Sequence, residues 1–244
     1  MMFLDIYDVK KPVFGMLHMK GETRQEKLDI CLREAEIYRE NGVDAVIVED
    51  YFGDAADVEA GLRLLSERGG FRYGVNVLDD WETSWRLAKE YGADFIQVDS
   101  VAGHLTPEED VPYGEMIGRY MAEGGMYVIG GVRFKYKEVL SGNDTETDLR
   151  IGMKRCHAIA VTGEGTGMDS PTEKIREFRG ICGPGFPLVV AAGLNAGNVA
   201  EKLSLGDAAI VGSTFKDTRK DTGDVCAAHV REFMEEVFRL RASL

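Results

Sequence analysis

Four short segments share one pattern of apolar and turn-prone positions: Asp44 to Glu49 (DAVIVE), Asp94 to Asp99 (DFIQVD), His157 to Thr162 (HAIAVT) and Asp207 to Gly212 (DAAIVG). Each apolar run is too short for a helix, and helical sequence separates the copies, as buried parallel strands require. The starts at positions 44, 94, 157 and 207 lie 50, 63 and 50 residues apart, which leaves room for two strand-helix units per interval. Apolar runs at Val13 to His18, Tyr73 to Val77, Tyr127 to Val132 and Leu188 to Ala191 supply the missing strands. Eight strands alternating with helices predict an α/β fold: a single (β/α)8 barrel of the TIM type, one domain over residues 1–244.

Helical periodicity supports the count. Leu28, Leu32, Ala35 and Tyr38 share one face before the second strand, Trp81, Trp85 and Ala88 share one before the fourth, and Cys226, Val230, Phe233, Val237 and Leu240 form a closing stripe. The segments Thr106-Pro107-Glu108-Glu109 and Ser170-Pro171-Thr172-Glu173 each read as an N-cap, a proline at the first helical position and a reaching carboxylate. The tryptophan pair is expected in the core rather than around a ligand.

Composition narrows the partners. With 42 acidic against 29 basic residues the net charge is -13, a field that repels phosphate backbones and anionic surfaces, so neither nucleic acid binding nor membrane insertion is expected. No apolar run approaches a membrane span and Met1 to Lys11 lacks a signal-peptide core, so a cytoplasmic protein is expected. Cys31, Cys156, Cys182 and Cys226 have neither CxxC spacing nor a histidine at metal-site spacing, and are expected to be reduced and mostly buried.

In this fold the loops after the strands carry the chemistry. Gln97 is polar inside an apolar strand, which suits the upper barrel interior; if it faces the axis, strand parity places Asp99, Glu49 and Thr162 there too. Two converging carboxylates can hold Mg2+ or act as an acid and base pair; Asp50 and Asp54 read equally as chemistry or as helix caps. Glycine turns follow the sixth strand (Thr162 to Gly167), the seventh (Ala192 to Asn198) and the eighth (Gly212 to Thr214), and their joint position points to a phosphate or similar anion, with Lys216 near the cup and Glu164 arguing slightly against it. His18 ends the first strand as a candidate acid or base, His157 and His229 read as structural, and His104 is undecided. Lys135 would neutralise a phosphate or an enolate, or serve as a Schiff-base nucleophile, unless it is a solvated loop lysine.

Together, VFGMLHMKG, DAVIVEDYFGD, GVNVLDD, GADFIQVDSVAG, AIAVTGEGTG, AAGLNAGNV and AAIVGSTFK resemble the BtpA family from about Val13 to Lys216. That family is named for a protein implicated in photosystem I biogenesis, and similar chains occur in non-photosynthetic organisms, often beside sugar-uptake genes. The resemblance implies a barrel with phosphate-type loops and a strand-end set: His18, Glu49, Asp54, Asn76, Asp79, Lys135, Thr166, Gly167, Gly193, Asn198, Gly212 and Lys216. The chain departs from the pattern at Gly131 and Tyr136, where an aspartate and a histidine are usual, at Gln97 and Asp99, where an arginine and an asparagine are usual, and at Met19 to Gly21, where the stretch is usually proline-rich.

The leading expectation is an isomerase or carbon-carbon lyase acting on a small phosphorylated, sugar-derived molecule by proton transfer beside a carbonyl. Gly193, Asn195, Gly212 and Ser213 would hold the phosphate with Lys216 nearby, Asn76, Thr166, Gly167 and Asn198 would complete the binding set, Glu49 or Asp99 would be the base, Lys135 would stabilise the enolate and His18 would relay the proton. One alternative is a hydrolase with Mg2+ on Glu49, Asp79 or Asp99; no motif requires any other cofactor. The other alternative is a non-catalytic assembly protein. A homo-oligomer is also expected, with the stretch from Tyr113 to Met126, rich in methionine, tyrosine and glycine, as its candidate interface.

Overall fold

A computed structural model describes residues 2–244. Strands β1 (Val13–Leu17), β2 (Ala45–Glu49), β3 (Tyr73–Asn76), β4 (Phe95–Ala102), β5 (Tyr127–Val132), β6 (Ala158–Val161), β7 (Leu188–Ala191) and β8 (Ala208–Val211) pair in chain order, all parallel, and β8 closes on β1. Around them run α1 (Arg24–Glu40), α2 (Ala55–Arg68), α3 (Trp81–Tyr91), α4 (Pro107–Glu123), α5 (Thr145–Arg155), α6 (Thr172–Cys182), α7 (Val199–Leu205) and α8 (Ala227–Ala242). This is the (β/α)8 barrel expected from the periodicity. No described helix is long and apolar enough to cross a membrane.

The polar residue that opens each repeated segment has a mechanical task at the dry end. Asp44 Oδ2 accepts the Val13 amide at 2.7 Å, His157 Nδ1 accepts the Val128 amide at 3.1 Å and Asp207 Oδ2 accepts the Leu188 amide at 2.9 Å. In each case the even-numbered strand satisfies a backbone donor at the start of its odd-numbered neighbour, where an unpaired buried amide would be costly. Arg241 and Arg179 bind Asp44 and Asp207 in turn, tying α8 and α6 to the barrel. Asp94 pairs with Arg72 instead.

Strand parity sorts the side chains into two cores. One cluster fills the barrel with Phe14, Met16, Ala45, Ile47, Phe95, Ile129, Ala158, Ala160, Val189, Ala191, Ala208 and Ile210. The alternate positions, among them Val46, Val48, Val75, Ile96, Val98, Ile159 and Val190, pack under the helices. Two residues further along the inward rows stand Glu49, Gln97, Thr162 and Gly212, and two beyond Gln97 stands Asp99, at the mouth. The opposite end is stopped by a 3-10 turn at Phe3–Ile6, whose Phe3 ring lies 5.4 Å from Phe95, 5.3 Å from Tyr127 and 6.2 Å from Phe14. Burying a phenylalanine of this kind contributes roughly 1.5–3 kcal/mol.

The first five helix starts follow local capping chemistry, whereas α6, α7 and α8 have no side-chain cap. Thr23, Asp54, Asp80, Thr106 and Asp144 each accept an amide from the first turn of the next helix. Asp54 is thereby engaged as the cap of α2, and Asp50 Oδ1 accepts the Leu78 amide at 2.9 Å. At α6 the expected cap is displaced: Pro171 takes the N-cap position, while the buried Ser170 hydroxyl donates to the Ala192 carbonyl at 3.2 Å. The open carbonyls at the end of β7 win the hydroxyl that a helix start would otherwise use. The stretch from Tyr113 to Met126 forms most of α4, and its Tyr113, Met116, Tyr120 and Met121 pack partly buried against the core. Tyr120 stacks on Trp81 at 6.0 Å, and Trp81 and Trp85 are both buried.

Candidate functional site

At the carboxyl ends of the strands a cavity of about 180 Å³ opens between two chemically different walls. One wall carries His18, Glu49, Gln97, Asp99 and Lys135 from the ends of β1, β2, β4 and β5. The other is built from Thr166 and Gly167 after β6, Gly193 after β7 and Gly212 and Ser213 after β8. The first wall gathers residues more than a hundred positions apart, as barrel closure requires.

The carboxylates form a pair because one amide joins them. Asn76 Nδ2 donates to Glu49 Oε1 at 2.8 Å and to Asp99 Oδ1 at 3.3 Å, and Gln97 Nε2 reaches the same Asp99 oxygen at 3.4 Å. Burial drives the Glu49 carboxyl up to about 8, and the neighbouring Asp99 charge pushes the same way, with Lys135 and Asn76 only partly offsetting them. Asp99 is raised too, chiefly by burial, against the opposing hydrogen bond from Asn76. Glu49 is therefore mostly protonated at neutral pH, the usual result when two carboxyls share a dry site.

His18 is neutral as well. Burial is the main cause and the positive charges of Lys216 and Lys135 add to it, holding the imidazole down at about 3. Its Nε2 lies 3.6 Å from Glu49 Oε2, a contact between neutral groups and too long for a hydrogen bond. The Asp221 carbonyl lies near the ring, yet no hydrogen bond of ordinary geometry reaches the buried Nδ1.

Lys135 is held from both ends. Its amide donates to Thr162 Oγ1 at 3.1 Å and its Nζ to Thr166 Oγ1 at 3.2 Å, so Thr162 supports the wall from behind. Gly131, where the family pattern has an aspartate, lies against β4: a methyl at that point would overlap the Asp99 carbonyl and the Phe134 ring. The β4–β5 register shifts between Val98 and Ala102, and this irregularity sets the acid on β4 at the mouth.

The glycine wall depends on close approach. Gly193 has φ +71°, and a methyl there would overlap Asp169 Cα and the Met168 carbonyl. Gly167, at φ +73°, faces Ser213. Behind them Asn198 Nδ2 donates to the Gly193 carbonyl at 3.0 Å and to Asp169 Oδ1 at 3.2 Å. Buried Lys202 binds Asp169 Oδ2 at 3.1 Å and Thr172 Oγ1 at 3.0 Å. The loop after β6 is thus fastened to α7.

Several expected residues lie elsewhere. Lys216 is buried beneath the cup, with Nζ 2.9 Å from both Glu34 oxygens, because α1 offers that amine a carboxylate in a dry layer. Asn195 bonds within its own turn, to Gly197, and Asn198 braces the cup without lining it. Asp79 turns out to Lys137 at 2.6 Å, away from Glu49. The three carboxylates of the Mg2+ reading do not converge: among the described residues no group of three or more His, Cys, Asp or Glu is arranged to hold a metal ion, and the Asn76 amide occupies the space between Glu49 and Asp99 with a donor. Some cavity residues were not named as site candidates, among them Tyr51, Leu78 and Tyr136, whose hydroxyl accepts the Thr166 amide at 2.7 Å. Their side chains reach the cavity through loop paths that no periodicity encodes.

Solved structures confirm the architecture. Phosphoribosyl anthranilate isomerase from Thermus thermophilus superposes with a TM-score of 0.64 at 18% identity, over 94% of this chain and 100% of that one. Thiamine phosphate pyrophosphorylase from Pyrococcus furiosus gives 0.60 at 16%, over 94% and 96%. In sequence, an uncharacterised protein of Methanocaldococcus jannaschii is 24% identical over 242 residues, covering 88% of this chain and 91% of the relative. The sequence model of the BtpA family matches residues 9–239, and the chain belongs to that family.

Proposed function

We propose that the protein is an enzyme that moves a proton beside a carbonyl in a small phosphorylated, sugar-derived molecule, as an isomerase or a carbon-carbon lyase does. The observation that carries this reading is the amide-bridged pair of Glu49 and Asp99 facing three glycine loops across one cavity. Asp99, the more accessible carboxyl, takes the proton from carbon; Glu49, protonated up to about pH 8, gives one to the carbonyl oxygen. Lys135 stands where negative charge develops on that oxygen; to complete an isomerisation Asp99 gives its proton to the adjacent carbon and Glu49 recovers one from the adjacent hydroxyl, with neutral His18 packed beside it. Gly167, Gly193, Gly212 and Ser213 offer backbone amides to the phosphate, with Thr166 at their edge. The names of both structural neighbours refer to phosphate compounds, which agrees with this assignment.

Titration calorimetry with a panel of aldose and ketose phosphates tests the binding, and proton NMR in D2O tests the chemistry. At least one member should bind below millimolar and exchange a carbon-bound proton beside its carbonyl, with exchange lost in Asp99→Asn. Absence of binding across the panel at millimolar concentration would overturn the reading.

A further inference from the structure

Behind the amide-bridged pair lies an annex of about 100 Å³, between the ends of β3 and β4 and the start of α3. Asn76, Gln97 and Asp99 form its wall, and the latter two also line the main cavity. Asp79, His104 and Tyr113 border its far side.

The annex shows an imbalance of hydrogen-bonding groups. The Asn76 and Gln97 amide donors are both directed at carboxyl oxygens of Glu49 and Asp99. A carboxylate accepts and does not donate, so these contacts fix the orientation of the Gln97 amide and leave its oxygen facing the other way. That oxygen is buried, in a residue only 6% exposed, and has no hydrogen-bond partner. His104 Nδ1 is a second buried atom without one. Tyr113 adds no free donor, because its hydroxyl gives its proton to the Ser100 carbonyl at 2.6 Å. A buried acceptor left unpaired is unfavourable, and the space beside it is large enough for a hydroxymethyl-sized group.

We propose that this annex is a subsite for the unphosphorylated end of the substrate and that it selects a chain carrying hydroxyl groups, one of which donates to Gln97 Oε1. The inference rests on the proposed function and names its substrate class: a phosphate at the glycine loops, a reacting carbonyl at Asp99 and Glu49, and at least one further hydroxyl-bearing carbon beyond it. Three-carbon phosphates end before the annex, whereas chains of five or six carbons reach it.

Calorimetry on the wild-type protein and Gln97→Met, with three probes, tests this. Inorganic phosphate reads the glycine loops alone and should bind both proteins equally. A pentose phosphate should bind the wild type about tenfold or more tightly than the analogue lacking the hydroxyl at the annex end, because a site built around a polar contact rejects the ligand that leaves it empty. Gln97→Met should lose that preference and keep its phosphate affinity. Equal binding of the two sugars by the wild type overturns the annex assignment while the phosphate assignment stands. Conversely, crystals soaked in an unphosphorylated pentitol that show it seated against Gln97, in a protein that does not bind phosphate, support the annex and overturn the phosphate site. An annex empty of pentitol in a protein that binds none of the three probes overturns both.

Discussion

Glu49 and His18 sit 3.6 Å apart with neither charged at neutral pH, and their opposite displacements shape stability against pH in a readable way. The native Glu49 carboxyl, at about 8 against 4.5, retains a proton that the unfolded chain has released, so its contribution is present below 4.5 and is lost as pH rises toward 8. His18, at about 3 against 6.5, acts in the other direction: its contribution is present above 6.5 and is lost as pH falls toward 3. Between 4.5 and 6.5 the two slopes cancel, and from 6.5 to 8 Glu49 acts alone. Thermal unfolding of Glu49→Gln, which keeps the acceptor for Asn76, should match the wild type near pH 5 and exceed it by about 2–4 kcal/mol at pH 8; parallel curves would show that Glu49 is ionised in the native state. Lys216 gives a second prediction at this scale. Removing the amine in Lys216→Met strands the Glu34 carboxylate in a dry layer, and the denaturant midpoint should fall by an amount worth about 3–5 kcal/mol. Phosphate affinity of the folded variant should be unchanged, whereas a selective loss of affinity would return Lys216 to the cup.

Among the elements, the loops after β6 and β7 are the most constrained. Their contact passes through Gly193, so Gly193→Ala must either push the Met168–Asp169 segment away or give up its φ of +71°. The expected cost is about 1–3 kcal/mol, accompanied by at least a tenfold weaker hold on inorganic phosphate, since Gly167 and Ser213 would lose their facing arrangement; unchanged affinity by calorimetry would show that Gly193 serves the turn alone. The same elements show where sequence reasoning works. The eight strands were legible because a strand buried on both faces must be apolar throughout and must end in polar residues, and parity then brought Glu49, Gln97 and Asp99 to one mouth. The second wall was legible as glycine turns. The start of α6 was not, because Ser170 answers to carbonyls on β7, twenty-one residues away. Nor was Lys202, inside the short helix α7, because its grip on Asp169 and Thr172 depends on a loop path that periodicity does not reach.

Over the whole molecule the barrel divides into a dry half and a polar half along one axis. The dry half is packed by Phe14, Phe95 and Ile47 and sealed by Phe3; the polar half carries the acids, the lysine and the glycine loops. Stability and chemistry therefore draw on different layers, with the inward row changing character within two residues of Ile47 on β2 and of Phe95 on β4. Phe3→Ala tests this division. It opens a cavity among four other aromatic rings at the closed end and should lower unfolding free energy by about 3–5 kcal/mol. Because the intervening core consists of close-packed aliphatic and aromatic layers, the variant should bind inorganic phosphate with wild-type affinity at temperatures where it remains folded. Should affinity fall in step with stability while the far-ultraviolet spectrum stays native, the plug and the mouth would be coupled through the Phe95 row, and the two ends of the barrel would form one cooperative device.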